Sequence, residues 1–168
     1  MRAEFSMNKL TTLNLSSSNM KFAAAHFTLF SATERENLHG HNFVVSARIT
    51  SLLQDTGLMF DYQIFKKTLA DMCALLDEKL LIPVSSPYLK IANTEGEIII
   101  KFANETLRFL PRDVLLLPIA NISVENLAYY FLSLMLEKKA LLEKNQVESL
   151  VITVASSPSQ SGEAYWTL

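Results

Sequence analysis

This 168-residue chain has only three histidines, His26, His39 and His41, and they lie within sixteen residues of one another. Residues two apart in an extended segment project to the same side, so His39 and His41 can converge on one ion. Gly40, between them, reads as a point where the backbone bends. His26 ends the preceding extended segment. The connection from residue 27 to 38 is long enough for an antiparallel return that sets His26 opposite the pair. Three neutral imidazoles and one open position are the ligand set of a catalytic zinc site. Iron, nickel and cobalt also accept nitrogen ligands without thiolates. The plain alternative is a surface His-X-His pair plus one histidine hydrogen-bonded in the core.

The elements that must position these residues are readable in outline. Residues 8–27 alternate partially between apolar and polar and read as a long extended segment. The polar stretch Ser31–Asn37 breaks it, and Asn42–Leu53 reads as the next strand. Gln54–Gly57 is a turn. Phe60–Leu81 reads as an amphipathic helix, with Asp61 as N-cap and Phe65, Leu69, Met72 and Leu76 as its apolar stripe. Pro83 and Pro87 stop it. Glu97–Phe102 and Glu105–Leu110 read as a hairpin around Ala103-Asn104. Ser123 caps a second helix whose stripe is Leu127, Phe131 and Leu134, with Glu125 at its positive end. Ser149–Ala155 is a strand and Ala164–Leu168 a short last one. Strands separated by helices without regular alternation imply an α+β fold, its antiparallel sheet covered by helices on one face.

Composition narrows the function classes. Nearly half the residues are apolar, 49%, and a net charge of −2 argues against a nucleic-acid partner bound through a broad basic footprint. No apolar run reaches the length of a membrane span. The lone cysteine, Cys73, excludes an intrachain disulfide and fits a reducing compartment, so a cytoplasmic protein is expected. Cys73 lies among the apolar residues of the first helix and reads as a small buried hydrophobe. Residues 1–7 read as a poorly ordered leader and 8–168 as one domain.

Longer segments carry a family likeness. FAAAHF, ENLHGHNF and DTGLMFDYQIFKK resemble the 6-pyruvoyl-tetrahydropterin synthase and 6-carboxytetrahydropterin synthase family. The likeness continues through LLDEKLLIP, PRDVLLLPIANISVENLAYY and VITVASSPSQSGEAYW. It implies a tunnelling fold (T-fold), a four-stranded antiparallel sheet with two helices on one face. It implies a homo-oligomer, commonly trimers stacked as hexamers, with active sites at subunit boundaries. It further implies Zn2+ on His26, His39 and His41, and 7,8-dihydroneopterin triphosphate as a small-molecule pterin substrate, in a folate or queuosine pathway. In such enzymes zinc acts as a Lewis acid on the side-chain hydroxyls. A base takes a carbon-bound proton, and triphosphate or a carbon fragment leaves.

The chain departs from that pattern at three places. The family's usual base is a cysteine four residues before the HGH, where Arg35 stands. A guanidinium cannot serve as a base at neutral pH. The adjacent Glu36 is the better candidate, and family members with a glutamate near that spot shift the outcome toward 6-hydroxymethyl-dihydropterin. Asp77 matches the aspartate of the family's Asp-His proton relay, but Glu78 replaces the histidine. A carboxylate is a poorer proton switch near neutral pH than an imidazole. Ser156 stands where the family has a pterin-anchoring glutamate, and Glu163 is a candidate substitute. Ser123 and Glu125 match a segment that lines the pterin pocket, besides their capping roles. The expectation is a zinc-dependent pterin lyase. The alternatives are a catalytically altered, metal-binding paralogue that takes a pterin-like or purine-like ligand, and a metal-dependent hydrolase.

Overall fold

The structure is a computed structural model that describes residues 9–168; the expected leader, residues 1–7, lies outside them. The N-terminal extended segment forms two strands, β1 (Leu10–Leu15) and β2 (Lys21–His26). Both lie antiparallel to one long strand, β3 (His39–Leu52), end to end along its length. Between β1 and β2 the chain steps out of register. Met20 nonetheless stays buried, and its carbonyl accepts from the Val45 N–H at 2.8 Å.

The chain then forms α1 (Tyr62–Leu76), β4 (Lys79–Pro83), β5 (Lys90–Thr94), β6 (Glu97–Phe102) and β7 (Glu105–Phe109). A 3-10 turn at Pro111–Asp113 leads to β8 (Val114–Leu117), α2 (Val124–Leu136) and the short α3 (Lys139–Lys144). The final hairpin is β9 (Val147–Ser157) and β10 (Gln160–Thr167). The main sheet runs β10-β9-β3-β2-β4-β8, with β1 also on β3. Its antiparallel part, β10-β9-β3-β2, is the expected four-stranded sheet. The short strands β4 and β8 extend it in parallel beyond β2.

Strand alternation decides which face is covered. Phe22, Ala24, Phe43, Val45, Ala47, Ile49, Leu150, Ile152 and Val154 are buried on one face. Against them pack Phe65, Leu69, Met72, Cys73 and Leu76 of α1, and Leu127, Ala128, Phe131, Leu132 and Met135 of α2. Leu134, expected in the second stripe, is only partly buried; Met135 takes its place. Asp61 and Ser123 cap their helices as expected, accepting from the N–H groups of Gln63 and Asn126. Burial pushes the Cys73 thiol up to about 12, helped by the nearby Asp77 charge, which leaves it an unreactive core residue.

Three expectations change. The first helix ends at Leu76, not Leu81. Asp77 leaves helical conformation, Glu78 takes a left-handed φ of 56°, and its N–H donates to the Ala23 carbonyl. The apolar run Leu80–Ile82 therefore extends the sheet as β4. The expected hairpin is two strands of a three-stranded sheet, β5-β6-β7, whose third strand, KIANT, is too polar to show a strand pattern. Gly40 does not bend the chain; it lies within β3, paired with Ala25, and a side chain there would meet only the Ala24 carbonyl at 3.5 Å. Among the described residues no helix is long and apolar enough to cross a membrane.

Candidate metal centre

The β2-β3 pairing assembles the three histidines. His26 is opposite His39 in register, and Ala24 is opposite His41. All three rings sit on the helix-covered face, at the end of the core, with the Phe43 ring 5.6 Å from those of His26 and His41. One potential ligand atom from each histidine lies within 4.8 Å of the others.

Hydrogen bonds orient the rings. His26 Nδ1 donates to the Ile122 carbonyl at 3.0 Å, and His39 Nδ1 donates to the Asn37 carbonyl at 2.8 Å. Each bond places the proton on Nδ1 and leaves Nε2 with a free lone pair, the state in which an imidazole binds metal. The Nε2 atoms of His39 and His41 are 3.0 Å apart. That is close to the tetrahedron edge, about 3.3 Å, set by zinc–nitrogen bonds of about 2.0–2.1 Å. His26 Nε2 is buried with no hydrogen-bond partner among the described residues. An orphaned buried nitrogen is costly, and a cation bound by the three histidines would satisfy it. Burial, reinforced by the neighbouring His39 and His41, pulls the His26 pKa from 6.5 down to about 4. His26 is thus neutral across the physiological range, as a ligand must be.

Glu36 joins the site from the loop between β2 and β3. Its Oε2 lies 4.0 Å from His39 Nε2 and accepts from the Thr28 N–H at 2.9 Å. In return, the Glu36 N–H donates to the Thr28 carbonyl at 2.9 Å. Partial burial pushes the Glu36 carboxyl up. The bond from Thr28 and the facing imidazoles of His39 and His26 outweigh it, holding the group below its ordinary value.

The other candidates lie elsewhere within the single chain. Asp77 accepts from the Ala23 N–H at 2.7 Å. Ala23 is three strand residues from His26, about 10 Å along β2. Glu78 lines a cavity of about 600 Å³ together with Leu38, Gly40 and His41. Ser123 is held as the α2 cap, and Glu125 is exposed in that helix's first turn. Ser156 donates to the Gln160 side chain at 3.3 Å in the β9-β10 turn. Glu163 lies on the sheet face opposite the helices, between Arg48 at 3.3 Å and the Thr153 hydroxyl at 3.0 Å.

Sequence reasoning missed two groups that build the site. Asn121 Oδ1 accepts from the N–H groups of Leu29 and Ile122, and its Nδ2 donates to the Leu29 carbonyl. It thereby ties the loop of Glu36 to the segment that orients His26. The Thr28 backbone fixes the Glu36 carboxylate. Neither has a spacing signal, because both act through backbone groups brought near by the fold.

Comparison with known proteins gives one consistent result. A sequence profile described as 6-pyruvoyl tetrahydropterin synthase matches residues 16–165. The crystal structure of 6-pyruvoyl tetrahydropterin synthase from Plasmodium vivax is similar at a TM-score of 0.90 and 30% identity, over 95% of this chain and 99% of that chain. The Plasmodium falciparum enzyme is similar at a TM-score of 0.89 and 30% identity, with the same coverage. Two further structures of the P. vivax protein carry alanine or cysteine in place of a glutamate described as its catalytic residue. A Methanocaldococcus jannaschii protein, provisionally named 6-carboxy-5,6,7,8-tetrahydropterin synthase, is 28% identical over 120 residues, 71% of this chain and 73% of its own length.

Proposed function

The chain belongs to the 6-pyruvoyl tetrahydropterin synthase family, and on that premise we propose that it is a zinc-dependent lyase acting on 7,8-dihydroneopterin triphosphate. His26, His39 and His41 hold the ion, and Glu36 is the base. The observation that carries this reading is the Glu36 carboxylate, 4.0 Å from a ligand nitrogen of the triad. The P. vivax relative, in which a glutamate is described as the catalytic residue, supports it. When bound, zinc supplies Lewis acidity toward the substrate's side-chain hydroxyls. Glu36, ionised at neutral pH, accepts the proton of the hydroxyl on the second side-chain carbon as the bond to the first side-chain carbon breaks, the fragment leaves as an aldehyde, and the proton returns to the carbon left on the pterin. With glutamate in this role, 6-hydroxymethyl-dihydropterin is the favoured product.

The rest of the pocket belongs to an assembly of copies. Glu78 shares a cavity with His41, whereas Asp77, Ser123, Ser156 and Glu163 bond other groups and Glu125 is exposed, so their proposed parts in proton transfer and pterin binding need a boundary between subunits. The uncovered sheet face, which carries the exposed Val44 and Tyr165, and the unpaired edge of β10 support a homo-oligomer, a trimer or hexamer.

Purified protein should hold about one zinc per chain and consume 7,8-dihydroneopterin triphosphate, with products resolved by chromatography. His39→Ala should abolish both, because two imidazoles leave a structural deficit in the ligand set. Glu36→Gln should keep the zinc and lower kcat by roughly 10²–10⁴, the range of general-base catalysis. Full activity in metal-free protein, or in Glu36→Gln, would overturn the reading. A second reading, a metal-binding paralogue without turnover, is favoured by the engagement of Asp77, Ser156 and Glu163 with other groups. Zinc and pterin binding with no product from the native protein would select it.

A further inference from the structure

Arg35 stands where the family's cysteine is expected, yet its guanidinium is turned toward the small β5-β6-β7 sheet. Nε and Nη2 both donate to Glu105 Oε2, at 2.8 and 2.5 Å, and Glu105 begins β7. Nη1 donates to the backbone carbonyl of Glu36 at 2.8 Å. The guanidinium carbon lies 5.1 Å from the Phe27 ring centre and 5.9 Å from that of Phe102. The Arg35 side chain is only 15% exposed. Below it, Phe27 and Leu29 pack into an apolar cluster with Ile98, Ile100 and Phe102 of β6.

We infer that Arg35 and Glu105 form a latch that fixes the Glu36 backbone on the small sheet and thereby aims the Glu36 carboxylate at the histidine triad. Arg35 is thus a positioning residue, and the small sheet is the anchor it holds. The geometry is specific to arginine: one planar group reaches a carboxylate on β7 and a carbonyl on the site loop at once, which a lysine's single ammonium does poorly. A bare guanidinium beside such a site would invite an anionic substrate. This one is already matched in charge by Glu105, which argues against a phosphate-binding role. Besides that bond from Arg35, Glu36 is held by its mutual bonds with Thr28, and a displacement of about 1 Å at a catalytic group costs on the order of 10²-fold in rate. The inference rests on the assignment of Glu36 as the base.

The test uses zinc-loaded Arg35→Gln, Arg35→Lys and Glu105→Gln, with Glu36→Gln and Arg35→Gln/Glu36→Gln alongside. Steady-state kinetics with 7,8-dihydroneopterin triphosphate should show kcat reduced roughly 10²-fold in Arg35→Gln and about tenfold in Glu105→Gln, with KM within about twofold. Arg35→Lys should recover part of the loss. Adding Arg35→Gln to Glu36→Gln should cost nothing further, since two residues acting as one unit are not additive. Hydrogen exchange gives a readout without turnover. The Thr28 amide, which donates to the Glu36 carboxylate, should exchange faster in Arg35→Gln and Glu105→Gln, while the Phe43 and Val45 amides of β3 stay unchanged. Native kcat in the latch variants with Glu36→Gln inactive, or native Thr28 exchange, overturns the latch alone. Full activity in Glu36→Gln overturns the base assignment and the latch with it. Glu105 is half exposed, so Glu105→Gln keeps the test open if Arg35→Gln fails to fold.

Discussion

His26 carries an energetic consequence that reaches beyond its proposed part in metal binding. In the folded, metal-free chain its pKa is held at about 4, against an ordinary 6.5. Between those values the unfolded chain binds a proton that the folded chain refuses, so stability rises with pH through that window. The His26 contribution is complete above pH 6.5 and is lost progressively as the pH falls toward 4. A shift of this size corresponds to about 3 kcal/mol. Urea titrations of the chelator-treated protein from pH 7 to pH 4 should show a loss of that order, and His26→Gln should flatten the slope. An unchanged slope in that variant would mean that other groups govern acid sensitivity. At the same scale, the spacing of His39, Gly40 and His41 predicted that the imidazoles converge, and they do, but not for the expected cause. Convergence comes from strand register rather than from a bend at Gly40, because sequence spacing does not reveal which strand lies opposite.

At the scale of elements, the tightest joint is between α2 and β10. Gly162 faces the first turn of α2, and a Cβ there would sit 2.7 Å from the Glu125 amide nitrogen and 2.8 Å from the Val124 carbonyl carbon. Both are backbone atoms of a packed helix and cannot swing aside. Gly162→Ala should therefore destabilise by about 1–3 kcal/mol, the usual cost of overpacking. Denaturant midpoints would show this, and a neutral effect would mean that α2 slides easily on the sheet. Sequence patterns found both principal helices and their caps, since amphipathic stripes and capping residues are local signals. They overran the first helix by five residues: Leu80 and Leu81 continue its apolar spacing, and the Glu78 contact with Ala23 together with pairing to β2 and β8 makes them a strand. β5 was illegible because its strand identity is set by pairing with β6, not by its own side chains.

On the scale of the whole molecule, the helices cover one sheet face; the small sheet covers the other face at β4 and β8, and the part formed by β3, β9 and β10 is bare. Tyr165 is 72% exposed and Val44 48% exposed on that bare face, and β10 leaves one edge unpaired. A long open edge beside exposed apolar groups invites strand addition unless another chain occupies it. Light scattering of the native protein should give a mass that is three or six times 18.9 kDa. Tyr165→Glu should lower that mass and reduce turnover while leaving the zinc content near native, because the triad lies on the opposite face. A monomeric native protein with full activity would remove the need for a subunit boundary at the site.

The amino-acid sequence by itself determined the histidine cluster, the α+β class and the family. Each rests on local pattern: imidazoles in a short span, apolar periods of helix and strand, and motif runs along the chain. Only the tertiary structure decided which nitrogen of His26 is free for a metal, because the carbonyl of Ile122, ninety-six residues away, sets its tautomer. It also decided what the substitution at position 35 means. Read along the chain, Arg35 is a missing cysteine; in the fold it bridges Glu105, seventy residues away, to the backbone of Glu36. Contacts between such distant residues depend on strand order and packing, which no local spacing encodes.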